Sequence, residues 1–336
     1  MTGPASARVL TWEELHRSVA AALPDAREAR WMIEEASGER LAAVGGPVPE
    51  KAALRVTEML RRRLAGEPLQ YVLGSWSFRT LDLMVDRRVL IPRPETEQVV
   101  EAALAEIDRL RTGPGSHPGP DTDPGRRPGP GPHPGPDTDP GCRPDTNAAG
   151  GRERLDTNAA AGRERLTVVD LGTGSGAIAL SLAAERTHVN VWAVDRSPDA
   201  VAVARANLAG LAGSAATRVR VVEGDWWGGL PAELAGHIDL VVSNPPYVSS
   251  GEMAELDPQV RDWEPRMALE AGHRGTEAIE AIFSEAGKWL AERAAAVIEL
   301  APHQAPEAEH LARQAGFVAE VRADLAGRPR TLVARR

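Results

Sequence analysis

The 336-residue sequence predicts a doubly wound α/β domain that follows a smaller, all-helical region. Three observations support this fold class. Seven short apolar segments that resemble strands occur in the second half of the chain, and helical stretches lie between most of them. Such an alternation is typical of a parallel sheet that is covered on both faces. Residues 11–65 show helical patterns instead, and the chain length suggests about two domains at roughly 150 residues each.

Helices are predicted in the N-terminal part of the chain at 11–23, 25–36 and 50–65. The first of them carries Thr11 and Glu14 at the spacing of a capping box. The apolar period changes to two between residues 76 and 90, which predicts a β-hairpin with its turn at 86–88. A further helix is predicted over 94–111, because Pro94 suits a first helical turn.

The second half of the chain supplies the strands, which are predicted at 167–171, 189–194, 218–223, 238–243, 295–300, 317–322 and 330–334. Helices are predicted between them at 176–186, 198–211, 275–291 and 303–315. The last two strands lack a helix between them and can therefore pair in antiparallel fashion.

Residues 112–166 form a segment of different composition, with 11 Pro and 11 Gly in 55 positions. The sequence HPGPDTDPG at 117–125 recurs at 133–141, and DTNAAGGRERL at 145–155 recurs almost unchanged at 156–166. This content exceeds the ~25–30% of Pro and Gly that marks low-complexity chain. We therefore predict a flexible, disordered insertion, in which Cys142 has no role.

Composition and charge exclude several classes of protein. Apolar residues make up 42% of the chain and charged residues 26%, but no run approaches the ~20 apolar residues of a membrane-spanning helix. A single cysteine excludes an internal disulfide framework. The net charge of −9 lacks the basic character of non-specific nucleic-acid binders, and Arg61–Arg63 fits a solvated helix end. We expect a cytoplasmic protein without membrane contact.

Polar and glycine-rich motifs follow the first four predicted strands of the sheet. They are DLGTGSG at 170–176, Asp195, GDWW at 224–227 and NPPY at 244–247. In doubly wound sheets, ligands bind beyond the carboxyl ends of the strands. The four motifs therefore predict one binding site at a single edge of the sheet.

The glycine loop predicts a site for a nucleotide-like ligand. Glycines at 172, 174 and 176 allow a tight turn and a close backbone approach at a helix N-terminus. The pattern fits both a dinucleotide and S-adenosylmethionine, with Asp195 for the ribose hydroxyls in either case. Asp195 also fits a turn residue before the next helix. Asp225 and Trp226 suit adenine through a carboxylate hydrogen bond and a flat apolar contact, whereas Trp227 also fits core packing.

The NPPY motif narrows the chemistry to a planar –NH₂ group. Pro245 and Pro246 lack an amide hydrogen, so they interrupt sheet pairing and leave backbone carbonyls free to face a pocket. Asn244 supplies a side-chain oxygen as an acceptor, and Tyr247 supplies a planar face. Two acceptors can hold both N–H bonds of an amide and align its nitrogen with an electrophilic methyl group.

These motifs carry a specific resemblance, together with GEPLQYVLG (66–74), VLIPRPETE (89–97), VDRSPDAVAVARANL (194–208) and DLAGRPR (324–330). The sequence resembles the HemK/PrmC family of S-adenosylmethionine-dependent methyltransferases, which modify the N5 atom of glutamine in class I peptide chain release factors. The resemblance covers nearly the whole chain outside 112–166. It departs from the family after the fifth strand, where Glu299-Leu-Ala-Pro-His303 replaces a Glu-x-Gly type of turn.

The resemblance implies a Rossmann-like, seven-stranded methyltransferase domain over 92–336, a β-hairpin linker over 74–91 and a helical domain over 1–73 that recognises the release factor. It implies that S-adenosylmethionine is bound, without a metal, by Gly172, Thr173, Gly174, Ser175, Gly176, Asp195, Asp225, Trp226 and Asn244. It implies that the substrate glutamine of a Gly-Gly-Gln loop is held by Asn244, Pro245, Pro246 and Tyr247, with Asn244, Pro245 and Tyr247 as the catalytic set. Arg93 and Glu95 fit either a supporting role there or the start of a helix. We expect a monomer.

Other functions remain as alternatives. The same chemistry on a ribosomal-protein glutamine is the nearest, and adenine-N6 methylation of nucleic acid is disfavoured by the acidic net charge. A nicotinamide-dependent oxidoreductase rests on the loose glycine pattern alone, since no Tyr-x-x-x-Lys pair occurs. A non-catalytic binding protein does not explain NPPY at a strand end.

We expect deletion of residues 113–164 to leave methyltransferase activity at the level of the full chain. The ends of this segment lie far in sequence from the strand-end motifs. Steady-state rates of the deleted and full-length proteins check this, and a loss of activity on deletion would contradict it.

Overall fold

The computed structural model describes residues 10–112, 165–211 and 213–336. The predicted insertion at 112–166 therefore lies outside the described residues, except at its edges. At these edges, Thr112 is the last residue of a helix and Leu166 is the first residue of a strand.

The N-terminal part is helical. Its helices are α1 (Trp12–Ala22), α2 (Glu28–Ser37), α3 (Glu50–Leu64) and the short α4 (Leu69–Leu73). The predicted capping box is confirmed, since the Glu14 amide donates to the Thr11 hydroxyl and the Thr11 amide donates to the Glu14 carboxylate. Arg62 and Arg63 at the end of α3 pair with Glu67 and Glu28 in partly buried contacts, so they do not form a basic face.

A β-hairpin follows, with β1 (Ser75–Phe78) and β2 (Leu81–Met84). The predicted position of its turn is wrong. The chain reverses at Arg79 and Thr80, where Arg79 adopts a left-handed φ of 52°, and the turn at 86–88 comes after the hairpin. The guanidinium of Arg79 donates to Glu185 at 2.6 and 2.7 Å and to Glu101 at 2.6 Å. These tertiary contacts offset the strain of a non-glycine residue in this conformation.

The remaining elements build an α/β domain. They are α5 (Pro94–Thr112), β3 (Leu166–Leu171), α6 (Ala177–Glu185), β4 (Val189–Asp195), α7 (Pro198–Gly210), β5 (Val219–Glu223), β6 (Ile238–Ser243), β7 (Val248–Ser249), α8 (Pro258–Arg261), α9 (Arg266–Leu269), β8 (Glu270–Gly272), α10 (Glu277–Trp289), β9 (Leu290–Glu299), α11 (Ala305–Gln314), β10 (Val318–Ala323) and β11 (Pro329–Arg335). Most boundaries lie within two residues of those predicted. Strand β9 begins five residues early, directly after α10.

Seven strands form the main sheet of the described residues, in the order β10-β11-β9-β6-β3-β4-β5. Strands β9, β6, β3, β4 and β5 run parallel to one another. Strand β11 pairs in antiparallel fashion with both β9 and β10, which confirms the predicted arrangement of the last strands. Apolar residues of α5, α6 and α7 cover one face, and those of α10 and α11 cover the other. The carboxyl ends of β3, β4, β5 and β6 therefore meet at one edge, as predicted.

Candidate active site

A cavity of about 490 Å³ opens at this edge of the sheet, within the size range of small-molecule sites. Its wall includes the predicted site residues Gly172, Thr173, Gly174, Ser175, Asp195, Asp225, Trp226, Asn244 and Pro246. Residues 87–92 and 265–271 contribute further wall. Loops from four strands thus converge on one pocket, which is the arrangement that the strand-end motifs predict.

The three glycines of the loop after β3 adopt left-handed backbone conformations. Gly172, Gly174 and Gly176 all have positive φ, at 72°, 56° and 86°. Gly176 does not line the cavity. Instead it precedes α6, where an added Cβ would lie 3.1 Å from the Leu180 side chain, so this glycine serves the packing of the helix.

Asp170 supports the glycine loop from below. Its Oδ2 accepts hydrogen bonds from the Thr173 hydroxyl at 2.6 Å and the Ala179 amide at 3.1 Å. Its Oδ1 has no hydrogen-bond partner among the described residues, and the side chain is fully buried. Burial raises the pKa of this carboxyl group to about 7.

Asp195 lines the cavity and makes the turn contact that the sequence suggested, together with a second backbone contact. Its Oδ1 accepts from the Ser197 amide at 2.9 Å, which forms the turn before α7. Its Oδ2 accepts from the Gly174 amide at 2.9 Å, which ties β4 to the glycine loop. Burial raises the pKa of Asp195, while the two amide contacts oppose that shift.

The two tryptophans after β5 point to different places. Trp226 lines the cavity and has a left-handed φ of 47°. Trp227 is buried, stacks on Trp289 with ring centroids 6.1 Å apart and donates its Nε1–H to the Ile282 carbonyl at 3.1 Å. Trp226 therefore faces the site, whereas Trp227 belongs to the core.

Asn244 is the polar centre of the NPPY motif. Its Nδ2 donates to the Thr96 hydroxyl at 3.0 Å, and this hydroxyl donates to the Glu299 carboxylate at 2.7 Å. The Oδ1 of Asn244 is buried and has no hydrogen-bond partner among the described residues. The residue lines the cavity, and this oxygen is its one side-chain acceptor atom, which no described residue satisfies.

The other residues of the NPPY motif differ in whether they line the cavity. Pro246 lines the cavity, whereas Pro245 and Tyr247 do not. The Tyr247 carbonyl accepts from Gln304 Nε2 at 2.9 Å, and the same nitrogen donates to the Gly275 carbonyl at 2.8 Å. Burial raises the pKa of the Tyr247 phenol.

The PETE segment contributes through a residue that sequence reasoning missed. Arg93 forms an ion pair with Glu264. Glu95, in the first turn of α5, forms an ion pair with Arg328, with 3.5 Å between Glu95 Oε1 and Arg328 Nη2. Neither contacts Asn244, and it is Thr96 that does. Glu299 was missed in the same way, although its place at the end of a buried strand on the same sheet edge was a usable signal.

The described residues, 10–112, 165–211 and 213–336, also bear on two other kinds of site. No group of three or more His, Cys, Asp or Glu side chains in this part of the chain could hold a metal ion. Within the same residues, no helix has the length and apolar character required to cross a bilayer.

Comparison with known proteins identifies the family. Residues 14–74 match the PrmC N-terminal domain, and residues 153–257 match the methyltransferase small domain. Proteins named release factor glutamine methyltransferase are similar over most of their length. The one from Deinococcus radiodurans is 33% identical over 92% of this chain and 90% of its own. The one from Gloeobacter violaceus is 34% identical with the same coverage. The earlier resemblance is thus confirmed, and the chain belongs to the release factor glutamine methyltransferase family.

Proposed function

We propose that this protein transfers a methyl group from S-adenosylmethionine to the side-chain amide nitrogen (N5) of the glutamine in the Gly-Gly-Gln motif of class I peptide chain release factors. One observation carries the proposal. The buried Oδ1 of Asn244 has no hydrogen-bond partner among the described residues, and Asn244 lines the cavity beside the glycine loop. Leaving a buried acceptor without a donor is costly, and a primary amide in the cavity would supply the missing donor.

The residues of the cavity fit S-adenosylmethionine. The loop at 172–176 provides a close backbone approach for its methionine part. Asp195, Asp225 and Trp226 all line the same cavity. In this proposal Asp195 accepts hydrogen bonds from the ribose hydroxyls, and Asp225 and Trp226 contact the adenine. When bound, this cofactor supplies an electrophilic methyl group on a sulfonium. No metal is required, because transfer from a sulfonium needs no Lewis acid.

The protein's part in the chemistry is to hold and orient the amide. An amide nitrogen is a poor nucleophile because its lone pair is delocalised. Asn244 Oδ1 accepts a hydrogen bond from one N–H group of the substrate amide. A backbone carbonyl of the NPPY motif accepts a hydrogen bond from the other N–H group. Pro245 and Pro246 fix the shape of this motif. Tyr247, which does not line the cavity, anchors the end of the motif through its carbonyl contact with Gln304. Fixed acceptors favour the pyramidal nitrogen of the transition state, and the proton can leave after transfer.

The division of the chain follows the same proposal. Residues 1–73 recognise the release factor, 74–91 form the linker and 92–336 carry out catalysis. The match of 14–74 to the PrmC N-terminal domain supports this division. The names of the relatives support a release factor as the protein partner. We further propose that the protein acts as a cytoplasmic monomer.

Mass spectrometry of a purified release factor tests the proposal. The factor is incubated with this protein and isotopically labelled S-adenosylmethionine, and we expect a gain of one methyl group on the glutamine of the Gly-Gly-Gln motif. A release factor in which that glutamine is replaced by alanine is the control and is expected to gain nothing. No gain on the natural factor would contradict the proposal, and a ribosomal-protein glutamine would be tested next.

A further inference from the structure

Two buried residues outside the strand-end motifs are linked to the side-chain amide of Asn244 by hydrogen bonds. Thr96 lies in the first turns of α5, and Glu299 is the last residue of β9. They are 4% and 1% exposed, respectively. Two successive hydrogen bonds connect the three side chains. Asn244 Nδ2 donates to Thr96 Oγ1 at 3.0 Å, and Thr96 Oγ1 donates to Glu299 Oε2 at 2.7 Å.

The direction of these hydrogen bonds follows from counting protons. A threonine hydroxyl has one proton and can accept from other donors, whereas an ionised carboxylate can only accept. When Glu299 is ionised, the Thr96 proton points to Glu299 and the Thr96 oxygen must accept from Asn244. The –NH₂ end of Asn244 is then held at Thr96, and its Oδ1 faces the cavity.

Protonation of Glu299 would reverse the direction of both hydrogen bonds. A neutral Glu299 can donate to Thr96, whose own proton then points toward Asn244. That arrangement favours the Asn244 side chain turned by half a rotation, with Oδ1 at Thr96 and the –NH₂ group toward the cavity. The –NH₂ group of Asn244 would then face the –NH₂ group of the substrate amide. The acceptor that the proposed reaction needs, Asn244 Oδ1, would be lost.

The surroundings of Glu299 place this change within reach of ordinary pH. Burial raises its pKa to about 7, and the carboxylate Glu95 on α5 acts in the same direction. The Thr96 hydrogen bond, Arg330 on β11 and Arg93 before α5 oppose the shift. The phenol of Tyr247, from the loop after β6, also lies within electrostatic range of Glu299.

We propose that Thr96 and Glu299 are positioning residues whose hydrogen bonds hold the Asn244 oxygen toward the substrate amide, and that this arrangement requires Glu299 to be ionised. This inference rests on the proposed function for its consequence in catalysis. The arrangement of the three side chains can be tested without it.

Paired variants of Thr96 test the role in catalysis. Thr96→Val keeps the shape but removes both hydrogen bonds, and we expect kcat on the release factor to fall about 100-fold. The KM for S-adenosylmethionine should change much less than kcat, because Asn244 is only one of the nine residues expected from the sequence to bind this cofactor. Thr96→Ser restores the hydroxyl and should restore kcat to within about threefold of the unmodified protein. A Thr96→Val protein with unchanged kcat would overturn the proposal.

The pH profile tests the role of Glu299. In the unmodified protein, kcat should fall about tenfold per pH unit below an inflection near 7, because a single proton inactivates the site. Glu299→Gln can still accept from Thr96 through its amide oxygen but cannot ionise, so its profile should lack that inflection. An inflection that persists unchanged in Glu299→Gln would overturn the assigned role of this residue.

A measurement that needs no turnover separates this inference from the proposed function. The side-chain amide resonances of Asn244 in ¹⁵N-labelled protein can be assigned by their loss in Asn244→Ala. They should shift with pH around the same inflection and stop doing so in Glu299→Gln. If the shift is seen but the release factor gains no methyl group, the proposed function fails and the positioning role stands. If the release factor is methylated but the resonances titrate equally in both proteins, the positioning role fails.

Discussion

Replacing Asn244 with alanine is expected to reduce the rate of methyl transfer about 1,000-fold while the protein stays folded. The substitution removes the Asn244 side-chain oxygen, which is buried and has no hydrogen-bond partner within the part of the chain that the structure describes. Asn244 lines the cavity, so the substrate amide loses a fixed acceptor. Loss of one preorganised hydrogen-bonding group at a reacting centre costs ~10²–10³ in rate, and here the orientation of the nucleophile is lost as well. The measurement is kcat on the release factor.

Stability and binding controls accompany this measurement. Asn244→Ala removes one side-chain hydrogen bond, to Thr96, which amounts to about 1 kcal/mol of unfolding free energy. Asn190→Ala makes the same chemical change at the start of β4, at the opposite end of the strand from the cavity. We expect that control to keep its full rate. Turnover of Asn244→Ala close to that of the unmodified protein would contradict the assigned role.

A single methyl group at Gly224 is expected to distort the loop that carries Asp225 and Trp226. A Cβ at this position would lie 2.3 Å from both the Cα and the amide nitrogen of Gly229, and these are backbone atoms that cannot rotate away. We expect Gly224→Ala to lower the free energy of unfolding by about 2–3 kcal/mol. S-adenosylmethionine should bind about tenfold more weakly, because both wall residues move with the loop.

Gly228 provides the matched control within the same loop. A Cβ at Gly228 would have nothing within 4 Å, and its φ is not in the left-handed region. Gly228→Ala should therefore change stability by no more than about 0.5 kcal/mol. Urea unfolding and calorimetric titration with the cofactor measure the two effects, and equal behaviour of the two variants would show that the close approach does not matter.

The sheet and the strand-end motifs could be predicted because their signals are local. The run 238–243 is mostly apolar and short enough to indicate a buried strand. The residues that follow each strand reach the same sheet edge by the rules of the fold. The glycine loop and Asn244 were identified from single short stretches. The structure then separates residues that the motifs group together, since Trp226 faces the cavity and Trp227 the core.

The contacts that orient Asn244 could not be predicted from the sequence in this way. Thr96 and Glu299 are 203 positions apart, and each has a sufficient local explanation, one in a first helical turn and one at a strand end. The hairpin turn was missed for a related reason. Arg79 carries no turn signal, and its left-handed conformation is compensated by carboxylates of α5 and α6 that only the fold brings near.

The anchoring of the NPPY motif at both ends has a consequence for the entropy of substrate capture. Thr96 holds the side chain at one end, Gln304 holds the carbonyl of Tyr247 at the other, and two prolines restrict the backbone between them. The conformational freedom of this loop is therefore lost when the chain folds, not when the glutamine arrives. Free and substrate-bound forms of the enzyme should superimpose at these four residues, so any closure around a release factor must come from other parts of the cavity wall, such as residues 265–271.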